Sequence, residues 1–133
     1  MDDKQRENLI AQALQACQRA YAPYSRFHVG AAILEKGGVI HSGVNVENAS
    51  YGLTNCAERT AVFNAISAGN SRFEAVAVAS PGGVAPCGAC RQVLHEFAPN
   101  IKVLLIDTSQ QTEVTELSLE ALLPDPFSAK NEA

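Results

Sequence analysis

The sequence has no tryptophan, only 6% aromatic residues, and no long run of apolar side chains. No segment approaches the roughly 18 consecutive apolar residues of a membrane-spanning helix. The charged start at residues 1–6 is not followed by the apolar segment of a secretory signal. We therefore expect no membrane partner and a cytoplasmic location.

The sequence also lacks any run of lysine or arginine, and its formal net charge is −4 at pH 7. Proteins that bind nucleic acid usually present basic surface to phosphates, often interleaved with aromatic side chains on which bases stack. Neither feature is present here. A small, neutral ligand is expected rather than a nucleic acid.

Internal repeats, low-complexity tracts and an interdomain linker are absent as well. With 133 residues, 47% of them hydrophobic, the chain is long enough to bury one core but too short for two. We expect a single domain over residues 1–133.

Hydrophobic periodicity predicts alternating helices and strands. Helical spacing covers residues 4–20, 56–68 and 88–97, with Gly69 placed to end the second helix, and Ser118 is a candidate cap for a short helix up to residue 123. Gly37 suggests a turn with positive φ between two antiparallel strands. Strands are predicted at 29–34, 38–44, 75–79, 101–106 and 113–117. This order predicts an α/β fold, a three-layer α/β/α sandwich with a mixed five-stranded sheet and helices on both faces.

Three of the four cysteines fall in two tight clusters, one at Cys56 and the other at Cys87 and Cys90. Both clusters lie where helices are predicted to begin, and free N–H groups there stabilise thiolates. The spacing of three places Cys87 and Cys90 on one side of a helical turn. Catalytic zinc commonly takes three protein ligands and keeps a fourth position for water, so we expect one zinc ion here. Cys17, on the apolar side of the first helix, is expected in the core.

Two charged residues, Glu58 and Arg59, stand two and three positions after Cys56. Glu58 in a first helical turn is often only a solvated residue that complements the helix dipole, but beside a zinc ligand it is placed to carry protons for a zinc-activated water. Three thiolates on one zinc leave a negative site that a guanidinium would offset. Arg59 and Arg91 are both candidates to donate to a cysteine sulfur; Arg59 is preferred, with an exposed helix arginine as the alternative interpretation.

These motifs resemble those of the zinc-dependent cytidine deaminases in their small homotetrameric form. The resemblance covers nearly the whole chain. It rests on Cys-Ala-Glu-Arg at 56–59, Pro-Cys-Gly-Ala-Cys-Arg-Gln at 86–92, Phe-His-Val-Gly-Ala-Ala at 27–32, Gly-Val-Asn-Val-Glu-Asn-Ala-Ser-Tyr-Gly at 43–52, and Leu-Leu-Pro at 122–124 followed by Phe127.

The resemblance implies hydrolysis of cytidine and deoxycytidine to uridine and deoxyuridine with release of ammonia. Zinc-activated water attacks C4 of the base, while Glu58 protonates N3 and then the leaving amine. A nucleoside is the expected partner, in a homotetramer whose active sites are completed across subunits. The implied substrate contacts are Phe27 against the base, Asn45 and Glu47 on the ribose hydroxyls, Asn48, Ala49 and Tyr51 in the same loop, the N–H of Ala57, and Phe127 over the base of a neighbouring subunit.

Plainer interpretations exist for the aromatic contacts, since Phe27 could be a core residue and Phe127 a simple packing anchor. Three other classes of function fit the sequence less well. A structural zinc module would need a fourth Cys or His, and none stands at a suitable spacing. An editor of polynucleotides would need a basic groove. A deaminase of aminonucleoside antibiotics would share the zinc core and differ on the sugar side, where Asn45 and Glu47 favour a nucleoside.

Overall fold

The computed structural model describes residues 1–110 and 113–129. Within these residues, four helices surround a sheet of five strands. The helices are α1 (Asp3–Cys17), α2 (Ala57–Ser67), α3 (Gly88–Phe97) and α4 (Leu119–Leu122), and a 3-10 turn spans Tyr51–Leu53. The strands are β1 (Gly30–Glu35), β2 (Ile40–Val44), β3 (Phe73–Ser80), β4 (Lys102–Asp107) and β5 (Val114–Ser118).

The strands lie in the order β2-β1-β3-β4-β5. β3 and β4 are parallel, with α3 as the connection that a parallel pair requires, and all other neighbours are antiparallel. The predicted mixed sheet of five strands is therefore confirmed.

Each face of the sheet is covered by helices, as the α/β/α prediction requires. One face packs against α1 through small and aliphatic side chains, namely Leu9, Ala13, Ala32, Leu34, Ala75, Ala77, Ala79, Leu104 and Ile106. The other face packs against α2, α3 and α4, with Ala31, Ile33, Ala57, Ala61, Val62, Ala65, Val76, Val78, Leu94, Val103 and Leu119 among its core residues. Many of these side chains are alanines, so the helices can lie close to the strands.

The first helix is shorter than predicted. α1 begins at a capping box, in which Asp2 accepts from the Gln5 N–H while the Gln5 side chain accepts from the Asp2 N–H. It ends at Cys17 rather than near residue 20, because the following N–H groups bond three residues back and tighten the chain into a turn. Cys17 is only partly buried, against the α1 core, and its Sγ donates to the His28 carbonyl at 3.2 Å.

Two local predictions are wrong in detail. In the β1–β2 turn the residue with positive φ is Gly38, at 101°, and not Gly37, whose N–H instead bonds to the Glu35 carboxylate. Ser118 occupies the N-cap position of α4, but its side chain makes no capping hydrogen bond. The Leu119 N–H bonds to the Ile101 carbonyl instead, so a tertiary contact satisfies the helix start. Gly69, with φ of 91°, does end α2 as expected.

In the part of the chain described, no helix is both long and apolar enough to cross a bilayer.

Candidate active site

Three cysteine sulfurs converge where α2 and α3 begin. Cys56 is the N-cap of α2, Cys87 is the N-cap of α3, and Cys90 lies in the first turn of α3. The Sγ atoms of Cys56 and Cys87 are 3.8 Å apart, and those of Cys87 and Cys90 are 3.5 Å apart. Neither N-cap sulfur bonds to a main-chain N–H of its own helix. All three sulfurs are thus available to one ion.

This spacing fits zinc. Two sulfurs bound to tetrahedral zinc at about 2.3 Å lie about 3.8 Å from each other. The three Sγ atoms lie within 4.8 Å of one another, and within residues 1–110 and 113–129 no fourth Cys, His, Asp or Glu joins the group. Three protein ligands and one open position are the arrangement of a catalytic rather than a structural site.

A guanidinium compensates part of the negative charge of the sulfurs. Arg59 Nη2 donates to Cys56 Sγ at 3.3 Å. Arg91 contacts no sulfur, because its Nε donates to the Pro86 carbonyl at 2.7 Å and its Nη1 to the Leu122 carbonyl at 2.6 Å. The pKa of Cys56 is lowered to about 5, first by a hydrogen bond from Cys90 and then by Arg59.

Glu58 is buried beside the three sulfurs. It is the second residue of α2, and only 5% of it is exposed. Removal from water, together with the negative charge of Cys56, raises the pKa of Glu58 to about 7. A carboxyl group with a pKa near neutrality can both accept and release a proton. Its environment therefore suits general acid and base catalysis.

A cavity of about 270 Å³ opens onto Glu58, Cys56 and Cys87. Seven of the residues predicted for the site line it: Phe27, Asn45, Glu47, Cys56, Ala57, Glu58 and Cys87. Ser25, Val29, Thr54, Val78, Val84 and Ala85 complete its wall. A wider groove of about 720 Å³, between α1 and Arg26, contains none of the predicted residues. The smaller cavity is therefore the candidate active site.

Asn45 and Glu47 lie in the loop after β2, and each is 7% exposed. The Asn45 amide accepts from the Val29 N–H at 3.0 Å and donates to the Phe27 carbonyl at 2.7 Å. Glu47 Oε1 accepts from the N–H groups of Tyr24 and Ser25, and Oε2 accepts from the Ser25 hydroxyl. One amide hydrogen of Asn45 and further lone pairs of Glu47 remain for a ligand.

Four other predicted contact residues lie outside this cavity. Asn48 and Ala49 are exposed, and the Asn48 side chain accepts from the Ser50 N–H. Tyr51 is 62% exposed and packs edge-on against Tyr24, with ring centroids 5.4 Å apart. Phe127 is 74% exposed, and its carbonyl accepts from Gln92 Nε2. Within one chain, the structure does not bring these side chains to the site.

The sequence analysis missed several residues that hold the site together. The Asn55 side chain donates to Thr60 Oγ1 at 3.0 Å, and Thr60 Oγ1 donates to the Cys56 carbonyl at 3.1 Å. A polar residue before a helix N-cap is the only sequence signal for this pair. Ser25 was also missed, because its partner Glu47 is 22 residues away and no local pattern links the two.

Comparison with known proteins agrees with this geometry. Residues 3–106 match the family model described as the cytidine and deoxycytidylate deaminase zinc-binding region. The chain belongs to the cytidine deaminase family. A cytidine deaminase from Halalkalibacterium halodurans is 50% identical over 129 residues, which is 95% of this chain and 96% of that protein.

Two further relatives are similar to this chain. The crystal structure of cytidine deaminase from Burkholderia pseudomallei has a TM-score of 0.87 and 48% identity, covering 96% of this chain and all of the other. A blasticidin-S deaminase from Bacillus cereus is 34% identical over 110 residues, 75% of this chain and 76% of that protein. The family model describes a zinc-binding region, and the three converging cysteines are the group positioned for the metal, so zinc, one ion per chain, is the cofactor.

Proposed function

We propose that this protein hydrolyses cytidine and deoxycytidine to uridine and deoxyuridine, releasing ammonia. The observation that carries the proposal is a buried glutamate, Glu58, beside an open set of three cysteine sulfurs, in a cavity of a size suited to a nucleoside. The chain is 50% identical to a protein named cytidine deaminase, which supports the same reaction. The antibiotic deaminase is a more distant relative and matches less of the chain.

The two carboxyl groups in the cavity have environments that suit different tasks. Glu47 accepts three hydrogen bonds, chiefly the one from the Ser25 hydroxyl, and these hold its pKa below the usual range. It is therefore an ionised acceptor. For Glu58, burial is the largest influence and raises the pKa to about 7, although its own main-chain N–H and the charge of Arg59 act in the opposite direction. Two carboxyl groups whose pKa values differ in this way commonly take different roles, one in acid and base catalysis and the other in binding.

Glu58 is the proton carrier in this proposal. When bound, zinc supplies the activation of water that hydrolysis needs near neutral pH. Glu58 takes a proton from the attacking water and delivers it to N3 of the base, and then passes a second proton to the amine that leaves C4. The overall balance is one nucleoside and one water in, and one deaminated nucleoside and one ammonia out.

The remaining cavity residues would hold the nucleoside. Asn45 and Glu47 can bond to the sugar hydroxyls with the donor and acceptor positions that their protein contacts leave free. Phe27 can pack against the pyrimidine, and Ala57 offers a main-chain N–H in the free first turn of α2. No group in this set requires a phosphate on the substrate.

We also propose that the protein is a homotetramer in which neighbouring subunits complete each site. Tyr51 and Phe127 support this, because both are large, apolar and more than half exposed. Asn48 and Ala49 lie in the same exposed loop as Tyr51.

Light scattering on the zinc-loaded protein would give the mass of the assembly, and a monomer that turns over cytidine at the full rate would refute completion of the site across subunits. A single domain over residues 1–133 and a cytoplasmic location complete the proposal.

An absorbance assay with cytidine, deoxycytidine, cytosine, CMP and adenosine, alongside zinc quantification, tests the reaction. We expect turnover of the two cytidine nucleosides. Glu58→Gln should keep its zinc and lose about a thousandfold in kcat, since an amide cannot carry protons. The exposed Glu7→Gln serves as the matched control. Zinc-loaded protein that deaminates neither nucleoside would contradict the function, and a zinc-loaded Glu58→Gln variant with normal turnover would contradict the role of Glu58.

A further inference from the structure

The Glu47 carboxylate is held by one short segment of the chain between α1 and β1. Its Oε1 accepts from the N–H groups of Tyr24, at 3.0 Å, and Ser25, at 3.1 Å. Its Oε2 accepts from the Ser25 hydroxyl. Ser25 thus supplies two of the three hydrogen bonds, one from its main chain and one from its side chain.

The Ser25 hydroxyl also acts on a second wall of the cavity. Its Oγ accepts from the Phe27 N–H at 3.0 Å, while it donates to Glu47. The chain reverses between these two residues at Arg26, whose φ of 59° lies in the left-handed region that side chains rarely adopt. One hydroxyl therefore connects the carboxylate proposed for the sugar with the ring proposed for the base.

The main chain around Glu47 already fixes its backbone. The Glu47 N–H donates to the Tyr21 carbonyl at 2.9 Å, and the Tyr21 N–H donates to the Asn45 carbonyl at 3.0 Å. These bonds place the Cα of Glu47 but leave the rotation of its side chain free. The contacts from Tyr24 and Ser25 remove that freedom, and Ser25 Oγ provides the only side-chain donor to the carboxylate within the described residues.

We propose that Ser25 is a positioning residue for sugar recognition, which acts by orienting Glu47 and, through the Phe27 N–H, the loop that carries the base contact. This inference rests on the proposed function for the identity of the substrate. Ser25 does not need to touch the nucleoside. Without its hydroxyl, Oε2 of Glu47 and the Phe27 N–H lose their partners, and the carboxylate is held only through Oε1, so its orientation toward the sugar is less fixed.

Steady-state kinetics on the zinc-loaded enzyme separate this role from a general structural one. With cytidine, Ser25→Ala should lower kcat/KM about tenfold, mainly through KM, because an oriented binding group is lost while Glu58 is unchanged. Ser25→Thr retains the hydroxyl and should stay within about threefold of wild type. Ser71→Ala, in the exposed turn before β3, is the matched control.

A substrate without the 2′- and 3′-hydroxyls of the sugar gives the decisive comparison. With 2′,3′-dideoxycytidine, which keeps only its 5′-hydroxyl, Glu47 has neither ring hydroxyl to bind, so Ser25→Ala should cost at most about threefold, the share carried through Phe27. Equal losses on the two substrates would overturn the proposal. So would a loss that Ser25→Thr does not restore while the threonine variant keeps the thermal stability of wild type.

A titration without turnover tests the contact itself. In wild type the pKa of the Glu47 carboxyl lies below its usual range, chiefly because of the Ser25 hydroxyl, with a smaller contribution from the charge of His28. Carbon-13 NMR should show this pKa rising in Ser25→Ala and staying low in Ser25→Thr. An unchanged pKa in Ser25→Ala would refute the orientation of Glu47 by Ser25. If wild type turned over neither nucleoside, the proposed function would fail, but the titration would still decide the role of Ser25.

Discussion

At Gly43, strand β2 closely approaches α2, the helix at whose start Cys56 and Glu58 lie. It lies in β2 opposite Ala31 and faces α2. A Cβ added there would lie 2.3 Å from the Ala61 main-chain nitrogen, 2.7 Å from the Ala57 carbonyl oxygen and 2.8 Å from the Thr60 carbonyl carbon. These atoms belong to the backbone of α2, so no side chain can rotate to make room.

Gly43→Ala should therefore move α2. Ordinary van der Waals contact begins near 3.4 Å, so the helix and strand must separate by about 1 Å. Overpacking of this kind costs about 3 kcal/mol of unfolding free energy, the upper part of its usual range, since the clash is with main chain. Cys56 and Glu58 stand at the start of the same helix, and a displacement of about 1 Å at a reacting group lowers kcat about a hundredfold.

Urea unfolding, zinc content and kcat, measured on the folded protein, check both effects. Gly30→Ala is the informative comparison, because its Cβ would meet Cys17 and Ala13 of α1, on the opposite face of the sheet. Gly30→Ala should lose a similar amount of stability, but its kcat should decrease less than that of Gly43→Ala. Gly52→Ala, which meets nothing within 4 Å, should change neither quantity by much. Wild-type stability and turnover in Gly43→Ala would refute the close approach of α2 to β2.

Three further predictions concern the metal and its support. Arg59→Gln should weaken zinc binding or activity by about tenfold or more, since the donor to Cys56 is weakened; competition with a chromophoric chelator measures this. Cys90→Ser should lose bound zinc while Cys17→Ser keeps one ion per chain, as metal analysis of the purified variants will show. Arg91→Met should destabilise the fold by about 2–3 kcal/mol in urea, because the carbonyls of Pro86 and Leu122 lose a charged donor. Unchanged values in these assays would contradict the corresponding contacts.

The metal half of the site can be predicted from sequence because its geometry is local. Cys87 and Cys90 share one helical turn, and the predicted helix over residues 88–97 coincides with α3. Cys56 precedes the apolar repeat that gives α2, so its position at a helix start follows from the same pattern. The preference for Arg59 has no local signal behind it, since Arg59 and Arg91 each lie about one turn after a cysteine; the contacts of Arg91 with Pro86 and Leu122 decide between them. The local pattern does not predict that the starts of α2 and α3 meet. The βαβ connection through α3 brings them together.

The sugar side of the site has no comparable local signal. Glu47 is held by residues 22 and 23 positions earlier in the chain, through a loop without periodicity. The predicted end of α1 and the predicted turn between β1 and β2 also differ from the observed ones. α1 ends early in a tightened turn, and the β1–β2 turn places its positive φ at Gly38, because the Glu35 carboxylate binds the Gly37 N–H. In the sugar loop and the β1–β2 turn a side-chain hydrogen bond decides the conformation that propensity leaves open, whereas local main-chain hydrogen bonds end α1.

The metal half and the sugar side of the site are held in place in different ways. Mutations in the two parts should therefore differ in whether they affect catalysis or binding. Glu58 and the cysteines are placed by main-chain packing of helices on a sheet rich in small residues, where a shift of α2 moves Cys56 and Glu58 together, away from Cys87 and Cys90 on α3. Glu47 and Phe27 are placed by hydrogen bonds within loops, where a lost hydroxyl reorients one contact and leaves the helices in place. A change at Gly43, where the sheet meets α2, therefore acts chiefly on kcat, whereas changes in the loop around Ser25 act chiefly on KM.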